Sequence, residues 1–194
     1  MATSSVEICN SALVKIGAAR ISALSDNTKA AIACNDQYDR LRKEVLRSHP
    51  WNFAISYISL AATANTPVWD AWTKEFLLPS DVLRILETDL GDYNAWEIGY
   101  NVDGNKVLFC NDDAVKIKYI KDITNTTRFE PNFEEALAFR IAADLAYHLV
   151  QSQTVQANMF RLYKEYLATA MSFDAQEMSQ QEVQADAWTT DVRG

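Results

Sequence analysis

The chain has 194 residues, 48% of them hydrophobic and 23% charged, which is enough to bury a core and ordinary for a globular protein. A formal net charge of −8 excludes gripping nucleic acid through a general basic surface, because phosphate contacts need an excess of Lys and Arg. No apolar run approaches the length of a membrane span and no N-terminal export pattern is visible, so a soluble protein without membrane partners is expected.

Ser4 or Ser5 can cap a first helix, with Glu7 in its first turn and Val6, Cys9, Ala12, Leu13 and Ile16 as its apolar stripe. Gly17 suits the left-handed position that ends a helix. Residues 18–27 form a crossover tacked down by Ile21 and Leu24, and Asn27 or Thr28 caps a second helix that runs to about Ser48. In that helix Cys34, Tyr38, Leu41 and Val45 share one face, while Asp36, Asp39, Arg40, Lys43, Glu44 and Arg47 occupy the other. Pro50 stops it, because a proline disfavours the helical conformation in the residue before it.

The pattern then changes to β. Trp51, Phe53, Ile55 and Tyr57 recur at period two, giving a strand over 52–60. Residues 63–71 read as a loop with two tryptophans, Trp69 and Trp72, followed by a short apolar strand from Lys74 to Leu78. Val82–Thr88 reads as a strand, and Leu90–Tyr93 as a turn. Segments 95–100 and 106–110 face each other across Val102-Asp103-Gly104-Asn105, a strong hairpin signal. Residues 114–120 alternate cleanly, with Val115, Ile117 and Tyr119 opposed to Lys116 and Lys118. Consecutive hairpins imply one antiparallel sheet or a small sandwich.

Helical spacing returns at Pro131, placed for a first turn, with Leu137, Ile141, Leu145 and Leu149 at steps of four among small alanines. After a break at 151–153, a fourth helix runs from about Thr154 to Met178. Its stripe of Met159, Tyr163, Tyr166, Ala170 and Phe173, broadened by Phe160, Leu167 and Met171, is wide enough for two partners. The fold class is therefore α+β: an antiparallel bundle of about four helices (1–50 and 131–179), an antiparallel β domain inserted between helices 2 and 3 (51–130), and a flexible acidic tail (180–194) that could order on a partner.

Catalytic signatures are sparse. His49 and His148 lack partners at metal-ligand spacing, and Cys9, Cys34 and Cys110 are far apart and read as reduced thiols, so neither a metal nor a cofactor is expected. The carboxylate pairs Glu134-Glu135, Asp112-Asp113 and Glu87/Asp89 suit a helix start, a turn and a surface better than glycosidase chemistry. Arg40, Arg42, Lys43 and Arg47 crowd one helix, either as a solvated face offset by acids or as a docking surface for an acidic neighbour. Trp69, Trp72, Trp96 and Trp188 add an aromatic excess of the kind interfaces favour.

One resemblance organises these features. The Leu13–Gly17 ending LVKIG precedes a crossover with Ile21, Leu24, Asp26, Thr28, Ala30 and Ala31. Cys34, Tyr38, Arg40 and Leu46 follow, then Pro50-Trp51, Phe53-Ala54, and Leu78-Pro79 with Asp81, Leu83 and Arg84, before a closing helical pair. In this order and spacing, over nearly the whole chain, the sequence resembles the tail tubular protein A, or head-to-tail adaptor, family of short-tailed bacteriophages. The resemblance implies a helical bundle with a β insert and a structural, non-enzymatic role in the virion. It also implies a ring of about twelve copies beneath the portal protein that extends the DNA channel without binding DNA specifically and carries the tail nozzle protein. Portal or neighbour contacts are then expected at Arg40, Lys43 and Arg47 and at tail residues Gln184, Trp188, Asp191 and Arg193, and nozzle contacts at Trp69, Trp72 and Asp103. Two other readings stand beside it: a cell-wall hydrolase of the infecting particle using a carboxylate pair, and a small DNA-binding protein using Arg40–Arg47.

Overall fold

The computed structural model describes residues 4–90 and 95–177, which form four helices and six strands in an α+β fold. Helix α1 (Ser5–Lys15) opens on a capping box: Ser4 Oγ accepts from the Glu7 N–H, and the Glu7 carboxylate accepts from the Ser4 N–H. It ends at Gly17, whose φ of 73° turns the Gly17 and Ala18 N–H groups back onto the carbonyls of Val14 and Leu13. Helix α2 (Lys29–Ser48) is capped by Thr28 and ends at an extended His49, as Pro50 requires. Helix α3 (Pro131–Val150) has its proline in the first turn and closes on Gln151 in the left-handed region, φ 54°. Helix α4 is Gln153–Glu177.

α3 is the centre of the bundle and touches α1, α2 and α4. Ala136, Ala138, Ala142, Ala143 and Ala146 are all buried on it, so three neighbours can approach one helix closely.

The β insert lies between α2 and α3. It is two sheets, each three-stranded and antiparallel, ordered β1-β6-β3 and β2-β5-β4. The strands are β1 (Ile55–Ala61), β2 (Lys74–Leu77), β3 (Val82–Thr88), β4 (Trp96–Tyr100), β5 (Lys106–Cys110) and β6 (Ala114–Lys121). Strand β1 pairs with β6, from Ile55 opposite Ile120 to Ala61 opposite Ala114. Only β4 and β5 are sheet neighbours joined by a tight turn, in which the Gly104 N–H donates to the Asn101 carbonyl and Gly104 takes φ 78°. A bridge between Ala62 and Phe76 links the two sheets.

Two expectations are corrected. The β segment does not run as consecutive hairpins: the turn at 111–113 passes β5 to β6, which belongs to the other sheet. The first strand also starts three residues later than its period-two pattern suggests. Residues 52–54 form a 3-10 turn, with Ala54 and Ile55 donating to the Trp51 carbonyl. Trp51 and Phe53 instead enter an aromatic cluster with Phe129 and Phe133, centroids 4.8–6.1 Å apart.

The side chains bury themselves in two cores. The larger fills the bundle and takes in Trp51, Ala54, Ile120, Ile123 and Phe129 at the junction with the insert. The smaller lies among the strands and includes Leu60, Phe76, Ile85, Leu108, Val115, Ile117 and Tyr119.

Candidate interaction surfaces

On α2 the basic residues divide. Arg40 is exposed and joins a network across to α3: it pairs with Asp144 and, at 3.8 Å, with Glu44, while Arg140 holds Glu44 at 2.9 Å and Asp144 at 2.6 Å. Lys43 is exposed and 3.5 Å from Asp122. Arg47 is exposed and makes no ion pair among the described residues. Arg42, by contrast, is only 2% exposed, so it is no part of a solvated face. It donates to Asp122, to the Ile123 carbonyl at 2.6 Å and to Asp39 at 3.2 Å, which pins α2 to the chain leaving β6. The available signal was its spacing: Tyr38, Leu41, Arg42 and Val45 follow the i, i+3, i+4, i+7 pattern of a buried stripe.

The end of α4 is fastened in a comparable way. Asp174 is fully buried; its carboxylate accepts from His49 Nε2 at 2.8 Å and from the Asn52 N–H at 2.9 Å. Asn52 Nδ2 donates back to the Asp174 carbonyl at 2.9 Å. His49 thus ties the bundle's last helix to the helix–strand junction. The wide stripe of α4 is only partly covered, since Tyr163 and Ala170 are buried while Phe160, Tyr166 and Phe173 remain substantially exposed.

The third surface is a half-open cavity of about 450 Å³ on sheet β2-β5-β4. Residues 63–73 cross the sheet here and contribute Trp69 and Trp72, and the strands supply Glu75, Glu97 and Phe109. Phe109 can lie across β4 because Gly99 has no side chain: a Cβ there would sit 2.9 Å from the Phe109 ring. The Trp72 indole N–H donates to Glu97 at 3.0 Å. Glu75 is 2% exposed, and its Oε1 accepts from Thr63 at 2.8 Å, Asn65 at 3.0 Å and Asn101 at 3.1 Å. Burial pushes its carboxyl pKa up, but the hydrogen bonds from Asn101, Thr63 and Asn65 together outweigh burial and hold it below the usual carboxylate range. Trp69 and Trp72 both line this cavity, whereas Asp103 does not line it and touches it only through Asn65, whose Nδ2 lies 3.4 Å from the Asp103 carboxylate. Glu75, Asn65 and Asn101 were not singled out from the sequence. The signal for Glu75 was a lone carboxylate in a short apolar strand; the two asparagines left none.

Gln184, Trp188, Asp191 and Arg193 lie outside the described residues. The carboxylate pairs have structural partners: Glu135 with Lys15, Asp113 with Lys74, Glu87 with Lys118, and Asp89 with the Lys116 N–H. All three cysteines are free and buried. Among the described residues no group of His, Cys, Asp and Glu could hold a metal, and no helix is long and apolar enough to cross a membrane. No protein-family model matches the chain, and no curated protein matches it.

Proposed function

We propose that the chain is a structural head-to-tail adaptor of a short-tailed phage particle, assembling as a ring of about twelve copies beneath the portal. The observation that carries this reading is the order of motifs from the LVKIG helix end to the Leu78-Pro79 segment, on a chain whose β insert sits between helices 2 and 3 of a bundle. Two features support it. Tyr166 and Phe173, 42 and 53% exposed and about 20° apart round the helix, leave an apolar strip on α4 that a neighbouring copy would cover. On α2, Arg40 and Lys43 already have acidic partners within the chain, and the exposed Arg47, without an ion pair among the described residues, is the cation left for an acidic neighbour.

In this reading the bundle joins portal and neighbouring copies, and the β insert, with Trp69, Trp72 and Asp103, meets the tail nozzle. The acidic composition serves passage of DNA. With −8 per copy, a dodecamer carries a formal charge of about −96, and where acidic residues face the channel they would repel phosphate and leave DNA without long-lived contacts.

The test is genetic. Particles made without this chain are expected to package DNA into heads that carry no tail nozzle, and the purified chain added afterwards restores tailed particles. Normally tailed, infectious particles made in its absence would overturn the proposal.

A further inference from the structure

We propose that the cavity on sheet β2-β5-β4 is a recognition pocket for an arginine side chain presented by a partner protein. The pocket holds a buried anion without its counter-ion. Glu75 is almost fully buried, and among the described residues no ammonium or guanidinium group pairs with it. Its three hydrogen bonds all come from neutral groups and all fall on Oε1, leaving Oε2 outside that cluster. A second carboxylate, Glu97, lines the same space, and among the described residues no Lys, Arg or His does. The hydrogen bonds from Thr63, Asn65 and Asn101 that favour the ionised form of Glu75 therefore preserve a negative charge that no cation among the described residues pairs with.

The walls select among cations. Trp69 and Trp72 bring two indole rings into the same lining as the two carboxylates, and the exposed Tyr100 lines it as well. A guanidinium stacks on such faces, pairs in a plane with a carboxylate, and sheds water more easily than an ammonium. The mouth points to a protein rather than a free small cation. Val68, Trp69, Tyr100 and Val102 are exposed by 82, 73, 72 and 78%, an apolar rim around a charged pocket that the backbone flanking an arginine would cover. This inference goes beyond the adaptor reading and stands without it, since the site is complete within one chain.

The test uses the full chain and N-acetyl-arginine methylamide, followed through the tryptophan indole N–H resonances by NMR. Saturable shifts confined to Trp69 and Trp72 are expected, and the neutral isostere N-acetyl-citrulline methylamide should produce none. Glu75→Gln should weaken binding about tenfold or more, the usual consequence of removing a charged hydrogen-bond partner. Because Glu75 is buried, Trp69→Ala on the exposed rim is the second variant; it should fold normally and weaken binding several-fold. Equal binding of the neutral isostere, no shift of either indole, or unchanged affinity in Trp69→Ala would each overturn the proposal. None of these results involves the portal, so failure here leaves the adaptor reading untouched.

Discussion

Arg42 and Asp174 are both charged residues set on the buried stripe of a helix, and each is retained by a full set of partners. Removing one partner from such a set costs far more than the pair contributes over an apolar replacement, because the remaining charge stays buried and unanswered. Arg42→Ala is therefore expected to destabilise the chain by about 3 kcal/mol, the low end for a broken buried pair because Lys43 still stands near Asp122. Urea denaturation measures this, and a loss within the error of a surface substitution would contradict it. Glu75 makes a pH prediction. Its folded pKa lies below the ordinary glutamate value of 4.5, so the folded state binds its proton less readily than the unfolded state. Its contribution is fully present above pH 4.5 and is lost as pH falls through the folded value. Thermal melts of Glu75→Gln should accordingly show less loss on acidification through that window than the parent chain. A parallel loss in both would contradict the assignment. At this scale the sequence was hardest to interpret, since spacing marks Arg42 and Asp174 as buried but only their partners, distant in sequence, explain why a charge is tolerated there.

Elements were more legible than residues wherever the signal was local. Ser4 and Glu7, Thr28, Gly17, Pro50 and Pro131 each act through neighbours a few residues away, and the helices begin and end where these residues dictate. The Asp103-Gly104 turn is local in the same sense. Strand partners are not. β1 and β6 pair across more than fifty intervening residues, because Leu60, Val115 and Ile117 need a common core, and no turn signal records that. The 3-10 turn at 52–54 is a similar case, where aromatic packing at the junction outweighs a β-like alternation. The β4–β5 hairpin carries its own prediction. Gly99→Ala would force the Phe109 ring out of its place, since the new Cβ would lie 2.9 Å from it. A loss of about 1–3 kcal/mol in denaturant midpoint experiments is expected, as for overpacking elsewhere. A variant of equal or greater stability would show that the ring moves at no cost.

For the whole molecule, the two cores meet at a junction made of the Trp51, Phe53, Phe129 and Phe133 rings, the Arg42 cluster and the His49–Asp174 contact. These interactions bring both connections of the β insert and the end of α4 together at one place. A chain built this way can carry one surface on its bundle and another on its insert, the latter completed by Trp69 and Trp72 of the segment that crosses the sheet. The α4 strip of Tyr166 and Phe173 and the cavity mouth at Trp69 lie on different parts of the fold, the bundle and the insert. That separation fits the adaptor role proposed above, in which bundle and insert meet different neighbours. The most direct measurement is the solution mass, by size exclusion with light scattering, of the 21.9 kDa chain alone and mixed with its candidate portal ring. The account predicts a complex heavier than the portal by about twelve copies of the chain. A chain that elutes at its own mass in both runs, leaving the portal's mass unchanged, would contradict it.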